Sequence, residues 1–146
     1  MPLAHAGVTG KNGEKIEAYD FLENRIETAA SAGLPRNNLI ADPGIGFGKT
    51  AEHNASLLRN ISLFHGLGAP LLTGSSRKRS LQKLAGAKTP KEQVAANIAA
   101  ALDAVSQGVQ IVRVHDVEET RRALAVWKWL RGAAKAQEQS VDHAEM

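Results

Sequence analysis

The chain has 146 residues, 43% of them apolar but only 4% aromatic, with 13 glycines and a formal charge of +3. That size fits one domain with a core of Leu, Ile, Val and Ala, and the charges are scattered except at Arg77-Lys78-Arg79 and Arg121-Arg122, which excludes a basic nucleic-acid stripe and favours a local anion site. The absence of cysteine excludes a disulfide framework, no apolar run approaches the roughly 20 residues of a membrane helix, and no charged-then-apolar leader opens the chain, so a cytoplasmic protein is expected, with neither nucleic acid nor membrane as partner.

In chain order, Pro2-Leu3-Ala4-His5-Ala6 reads as the remnant of a strand. From Glu14 to Ala32 the positions Ile16, Phe21, Leu22, Ile26, Ala29 and Ala30 approximate a helical stripe, which Gly33 and Pro35 end. Leu39-Ile40-Ala41-Asp42 reads as a strand that stops at Pro43 and opens into Gly44-Ile45-Gly46-Phe47-Gly48. Leu57, Leu58, Ile61 and Phe64 fit a helix closed by Gly66 and Gly68, and Pro70-Leu71-Leu72-Thr73-Gly74 is a short buried strand.

Val94, Ile98, Ala101, Leu102 and Val105 mark a further helix ending at Gly108, and Gln110-Ile111-Val112-Arg113-Val114 a third strand. The last helix carries Ala123, Leu124, Trp127 and Leu130. Short apolar strands alternating with amphipathic helices predict an α/β protein with a parallel sheet covered by helices. Residues 133–146 are polar and unpatterned, which predicts a disordered tail.

The polar residues fall at strand ends. Asp42 ends the first strand, Ser76, Arg77 and Lys78 follow the second, and Arg113 and His115 end the third. Ligands bind at the carboxyl ends of parallel strands, so these groups can converge on a polar heterocycle with an anionic arm. A carboxylate accepts from adjacent heterocycle N–H groups, Arg113 offers a planar fork to phosphate, Lys78 a movable charge, and His115 a donor to an anion. The alternative is that Asp42 caps its turn while Arg113, His115 and Asp116 form a solvated network.

The glycine loop ends like a phosphate-binding loop but has Pro43 where that pattern needs glycine, and Lys49 where the dinucleotide pattern does. Its glycines are expected in positive-φ turns, with Phe47 either covering a flat ligand or packed in the core. His53-Asn54 reads as a cap or packing pair, and the histidines share no ligand spacing, so no protein-built metal site is expected. Trp127 and Trp129 are two apart on one helix and cannot share a face; Trp129 is either a contact surface or an isolated exposed ring.

Three segments then occur together: Asp42-Pro43-Gly44-Ile45-Gly46-Phe47-Gly48-Lys49-Thr50 with His53-Asn54, Gly74-Ser75-Ser76-Arg77-Lys78, and Arg113-Val114-His115-Asp116-Val117. In this order they resemble the motifs of the dihydropteroate synthase family, over about Tyr19 to Leu130, and Leu3-Ala4-His5 with Gly7 is similar to the family's fifth strand. The resemblance implies a (β/α)8 TIM barrel of which this chain supplies the sixth to eighth strands, with residues 1–132 as a pterin-binding segment.

It implies condensation of 6-hydroxymethyl-7,8-dihydropterin pyrophosphate with para-aminobenzoate in folate biosynthesis. Asp42 and Lys78 would hold the pterin, Phe47 and Ser76 would lie near the aromatic amine, and Gly74 would belong to the same substrate-binding set. Arg113 and His115 would bind the departing pyrophosphate, usually with Mg²⁺ beside it; Lys78, Arg113 and His115 would be the catalytic groups.

The chain also departs from the family. The Asn-rich first loop and further Asp and Asn residues of the pterin pocket have no counterpart, and Thr89 to Ala100 lacks the Arg and Gly usual before the seventh helix. Strands cut from a barrel leave edges to cover, so a homodimer or pairing with a complementary chain is expected. A non-catalytic pterin-binding remnant or accessory subunit remains the alternative function. A pterin-binding methyltransferase barrel is disfavoured by the Ser76-Arg77-Lys78 and Arg113-Val114-His115 motifs.

Overall fold

The computed structural model describes residues 14–47 and 49–132. The expected strand remnant at residues 2–6, Gly48, the Ile16 side chain and the tail 133–146 lie outside the described residues. The chain divides into two compact units, Met1–His115 and Asp116–Met146.

In the first unit, helix α1 (Glu14–Ser31) buries Ala18, Leu22 and Ile26, each four residues from the next, so one narrow stripe faces the core. Phe21, expected on that stripe, sits off it and is partly exposed. Gly33 adopts φ +94 and its N–H donates to the Ala30 carbonyl, ending the helix as expected. A 3-10 turn at Arg36–Asn38, not foreseen in the sequence, carries the chain to Leu39.

Helix α2 (Ala51–Arg59) starts at Thr50, whose hydroxyl accepts from His53 N–H at 3.2 Å, and has Glu52 in its first turn. The expected single helix through Phe64 instead breaks at Asn60 and continues as a 3-10 turn over Ile61–Leu67. Gly68, in the left-handed region, ends this turn; Gly66 lies within it, where the Tyr19 hydroxyl stands 2.7 Å from any added Cβ. Leu57, Ile61, Phe64 and Leu67 meet the α1 stripe, with the Tyr19 and Phe64 rings 6.1 Å apart. Burying each such side chain contributes about 1.5–3 kcal/mol.

The sheet is parallel but short. Strand β1 (Leu72–Thr73) pairs with β2 (Ile111–Val112) in the register Leu72 to Ile111 and Thr73 to Val112, and the expected first strand is reduced to one parallel bridge, Ala41 to Leu71. Ala41 N–H donates to the Pro70 carbonyl and Leu72 N–H to the Ala41 carbonyl, both at 2.9 Å. Pro43 and Pro70 supply no N–H with which to lengthen this pairing. All three segments run in one direction in the order Ala41, β1, β2.

Helix α3 (Arg79–Ala85), which the sequence pattern had not resolved, follows β1 and ends at Gly86 in the left-handed region. Helix α4 (Val94–Ser106) precedes β2, and its buried positions are Asn97, Ala101 and Ala104, with Val94, Ile98, Leu102 and Val105 only half-buried. The second unit contains α5 (Val117–Leu130), with Glu118 bonded to Arg121 and Arg122, the Arg131 guanidinium over the Trp127 ring, and Trp129 exposed. No described helix is long and apolar enough to cross a membrane.

Candidate active site

The parallel register aligns three chain exits on one rim. Asp42 stands one residue past the Ala41 bridge, Gly74 one past β1, and Arg113 one past β2, its N–H donating to the Thr73 carbonyl at 2.8 Å. This is the convergence expected from the sequence.

Asp42 caps its turn through one oxygen and leaves the other without a donor. One oxygen, Oδ1, accepts from Gly44 N–H at 2.8 Å, the side-chain turn that starts the glycine loop. The other, Oδ2, is buried with no hydrogen bond, and the nearest cation is the Arg113 Nη2 at 3.7 Å, beyond hydrogen-bond reach. A carboxylate only 7% exposed with an unmet acceptor is a demanding arrangement, because leaving such an oxygen without a donor is costly.

The loop beyond it turns through Gly44 at φ +72 and Gly46 at φ +89, as foreseen. Asn54, from the first turn of α2, accepts from Gly46 N–H through Oδ1 at 2.7 Å, and Lys49 Nζ donates to the Gly44 carbonyl at 2.9 Å. The glycine loop is thereby pinned from the helix it leads into. Phe47 is 37% exposed and so not a core residue; Lys78 Nζ lies 4.1 Å from its ring centroid, a cation–π contact. The Lys78 stem also crosses Gly46, where an added Cβ would stand 2.6 Å from Lys78 Cδ.

On the opposite side the Arg113 guanidinium lies across Gly74, its Nη2 2.8 Å from where a Cβ would be. Ser76 Oγ accepts from His115 N–H at 3.2 Å and stands 3.1 Å from His115 Nδ1, which fixes the imidazole. Gly74, Ser76, Lys78, Arg113, Val114 and His115 line a cleft of about 270 Å³. Asp42 and Phe47 do not line it, but each touches a residue that does. Lys78 is also part of a second cleft of about 420 Å³, with Gly46, Lys49, Asn54, Arg77 and Arg79.

Burial pushes the Lys78 ammonium below the ordinary lysine range; nearby Arg113 adds to this, and Asp42 opposes it. Lys49 is lowered as well, first by burial, with Asp42 opposing and Lys78 adding. Two lysines thus hold their protons less tightly than usual, on a rim that also carries Arg113.

The sequence reading missed the residues that shape the loops. In the sequence Asn54 looks only like a cap or packing residue, and no local motif marks Gln93 or Asn97. Gln93 Nε2 donates to the Lys78 carbonyl at 2.9 Å, and Asn97 Oδ1 accepts from Arg77 N–H at 3.0 Å. Their signal was present as two amides four apart on a helix face that is otherwise small and apolar.

A divalent cation such as Mg²⁺ takes about six oxygen donors and is usually held through one or two carboxylates. The described rim offers one carboxylate, already facing Arg113, among Lys and Arg side chains, and no three acidic or histidine side chains of the described residues group to hold an ion. These residues do not fit the ion, and no chemistry is derived through it.

The family model described as pterin binding enzyme matches residues 9–115. The dihydropteroate synthase of Streptococcus pyogenes serotype M1 is 44% identical over 111 residues, which are 75% of this chain and 42% of that protein. Among solved structures, dihydropteroate synthase from Stenotrophomonas maltophilia is 47% identical at a TM-score of 0.80, covering 84% of this chain and 46% of that one. The Xanthomonas albilineans enzyme in complex with 7,8-dihydropteroate is 40% identical at a TM-score of 0.81, covering 84% and 47%. The chain therefore spans less than half the length of these relatives.

Proposed function

The chain belongs to the pterin-binding enzyme family, and on that premise we propose that its rim carries dihydropteroate synthase chemistry: a pterin pyrophosphate and para-aminobenzoate bind together and condense with loss of pyrophosphate. The observation that carries this reading is the pairing of opposites on one rim. A buried carboxylate oxygen without a donor, Asp42 Oδ2, stands 3.7 Å from Arg113, which with Lys78, Ser76 and His115 walls the neighbouring cleft. A pterin offers N–H donors to that oxygen, and its pyrophosphate arm offers an anion to those cations.

In the reaction the arylamine nitrogen forms a bond to the pterin methylene carbon while the bond from that carbon to the pyrophosphate oxygen breaks. The surplus proton on nitrogen leaves to solvent. Charge builds on the departing oxygen, so Arg113, Lys78 and His115 act by binding that charge more strongly in the transition state than in the substrate. Ser76 orients the imidazole, and Gly74 leaves the guanidinium room. Phe47 and the Lys78 stem flank the place for the aromatic amine, and the second cationic cleft receives its carboxylate. The Xanthomonas relative's 7,8-dihydropteroate joins these two halves in one molecule.

The three parallel segments are read as neighbouring strands of a (β/α)8 barrel, sixth to eighth, and residues 1–132 as its pterin-binding segment, in a cytoplasmic protein. Pairing with a second copy or a complementary chain would cover the outer edges of Ala41 and β2.

Titration with pterin pyrophosphate, followed by a pyrophosphate-release assay with para-aminobenzoate, tests the proposal. Binding with turnover is expected from the assembled protein. Binding without turnover favours the accessory, binding-only role, and absence of both removes the pterin reading.

A further inference from the structure

We propose that Gln93 and Asn97, two buried amides one turn apart at the start of α4, are positioning residues that hold the Arg77–Lys78 backbone in the bend from which Lys78 reaches the cleft. The inference rests on the reading of Lys78 as a ligand-binding group. Neither amide touches the cleft.

Arg77 adopts φ +55, the one described residue other than glycine with positive φ. An L side chain in that region crowds its own backbone, so the conformation persists only where neighbours impose it. Both constraints come from one helix. Asn97, 1% exposed, takes the N–H that enters the bend, and Gln93, 3% exposed, donates to the Lys78 carbonyl that leaves it. That carbonyl also accepts the first helical bond of α3, from Gln82 N–H at 3.0 Å, so the amide fixes the bend and the start of α3 together.

Buried amides on a helix face that otherwise carries Ala101 and Ala104 contribute less to packing than apolar side chains, and their bonds to backbone groups are what they offer instead. Precision matters at the other end of the lysine, because its stem rests on Gly46 with no space to spare and its ammonium faces Arg113, Asp42, Lys49 and the Phe47 ring. A small rotation about Arg77 would carry Nζ out of that setting.

The test follows Lys78 itself. In the full chain, the pH dependence of amine acylation, mapped to Lys78 by mass spectrometry, gives its titration midpoint without any ligand. Asn97→Leu and Gln93→Leu are expected to raise that midpoint toward the ordinary lysine value, and Asn97→Asp, which keeps the acceptor, to restore it. Pterin pyrophosphate affinity is expected to fall about tenfold with Asn97→Leu, and by no further amount when Lys78 is already methionine. Should Asn97→Leu fail to fold, Gln93→Leu carries the same comparison. A midpoint unchanged in the folded leucine variants, or full additivity with Lys78→Met, overturns the inference. A shifted midpoint in a chain that binds no pterin pyrophosphate upholds the positioning role and removes the functional reading instead.

Discussion

The Lys78 side chain rests on the backbone of Gly46: a methyl group at that glycine would stand 2.6 Å from Lys78 Cδ and 2.9 Å from Cε. Gly46 also holds φ +89, so Gly46→Ala both strains the turn and displaces the lysine. We expect a loss of about 1–2 kcal/mol in denaturant unfolding and at least tenfold weaker binding of pterin pyrophosphate. Unaltered affinity in titration calorimetry would detach the lysine from the ligand.

Gly74 makes the contrasting case. The three atoms nearest its added Cβ all belong to the far end of the Arg113 side chain, half exposed and able to swing aside. Gly74→Ala should leave the unfolding midpoint within experimental scatter while weakening inorganic pyrophosphate severalfold. A large stability loss would show that the guanidinium is held more rigidly than its exposure implies.

Asp42→Asn should separate the two halves of the ligand. The amide oxygen can keep the Gly44 N–H bond, but a donor now stands where an acceptor was, and the charge 3.7 Å from Arg113 is gone. Hydrogen bonds to charged groups contribute about 1.5–3 kcal/mol, so pterin affinity should drop roughly 10- to 100-fold. Inorganic pyrophosphate should bind as well as before, or more tightly. Parallel losses of both would contradict the assignment of the carboxylate to the ring.

The lysine protons give a pH test. Lys78 and Lys49 have folded-state pKa values below their unfolded value of 10.5, so keeping them charged costs the folded state. That cost is fully present at pH below the lowered values and disappears as pH rises toward 10.5, so this contribution to stability increases across the window. Anion binding runs the other way, falling as Lys78 loses its proton. Pyrophosphate titrations from neutral to alkaline pH should show affinity lost before 10.5, and Lys78→Met should remove that step.

The sequence made the rim legible because strand ends and polar residues coincide: Asp42, Lys78 and Arg113 each follow a short apolar run. Helix ends were equally readable at Gly33 and Gly108, where positive φ is required. Strand lengths were not, because Pro43 and Pro70 curtail pairing that an apolar pattern alone would extend. The break at Asn60 was hidden for a similar reason, since Ile61 and Phe64 keep a three-residue spacing that suits a 3-10 turn as well as an α-helix. Gln93 and Asn97 escaped notice because their value lies in carrying backbone bonds to a loop distant in sequence, which no local periodicity records.

One ammonium, that of Lys78, borders both clefts. Two anions seated side by side would be rivals for a single counter-charge, each diluting the attraction felt by the other. Departure of the first frees the lysine to tighten on whatever remains. On the proposed reading, inorganic pyrophosphate and para-aminobenzoate should therefore weaken one another's binding, and added salt should blunt that antagonism by standing in for both.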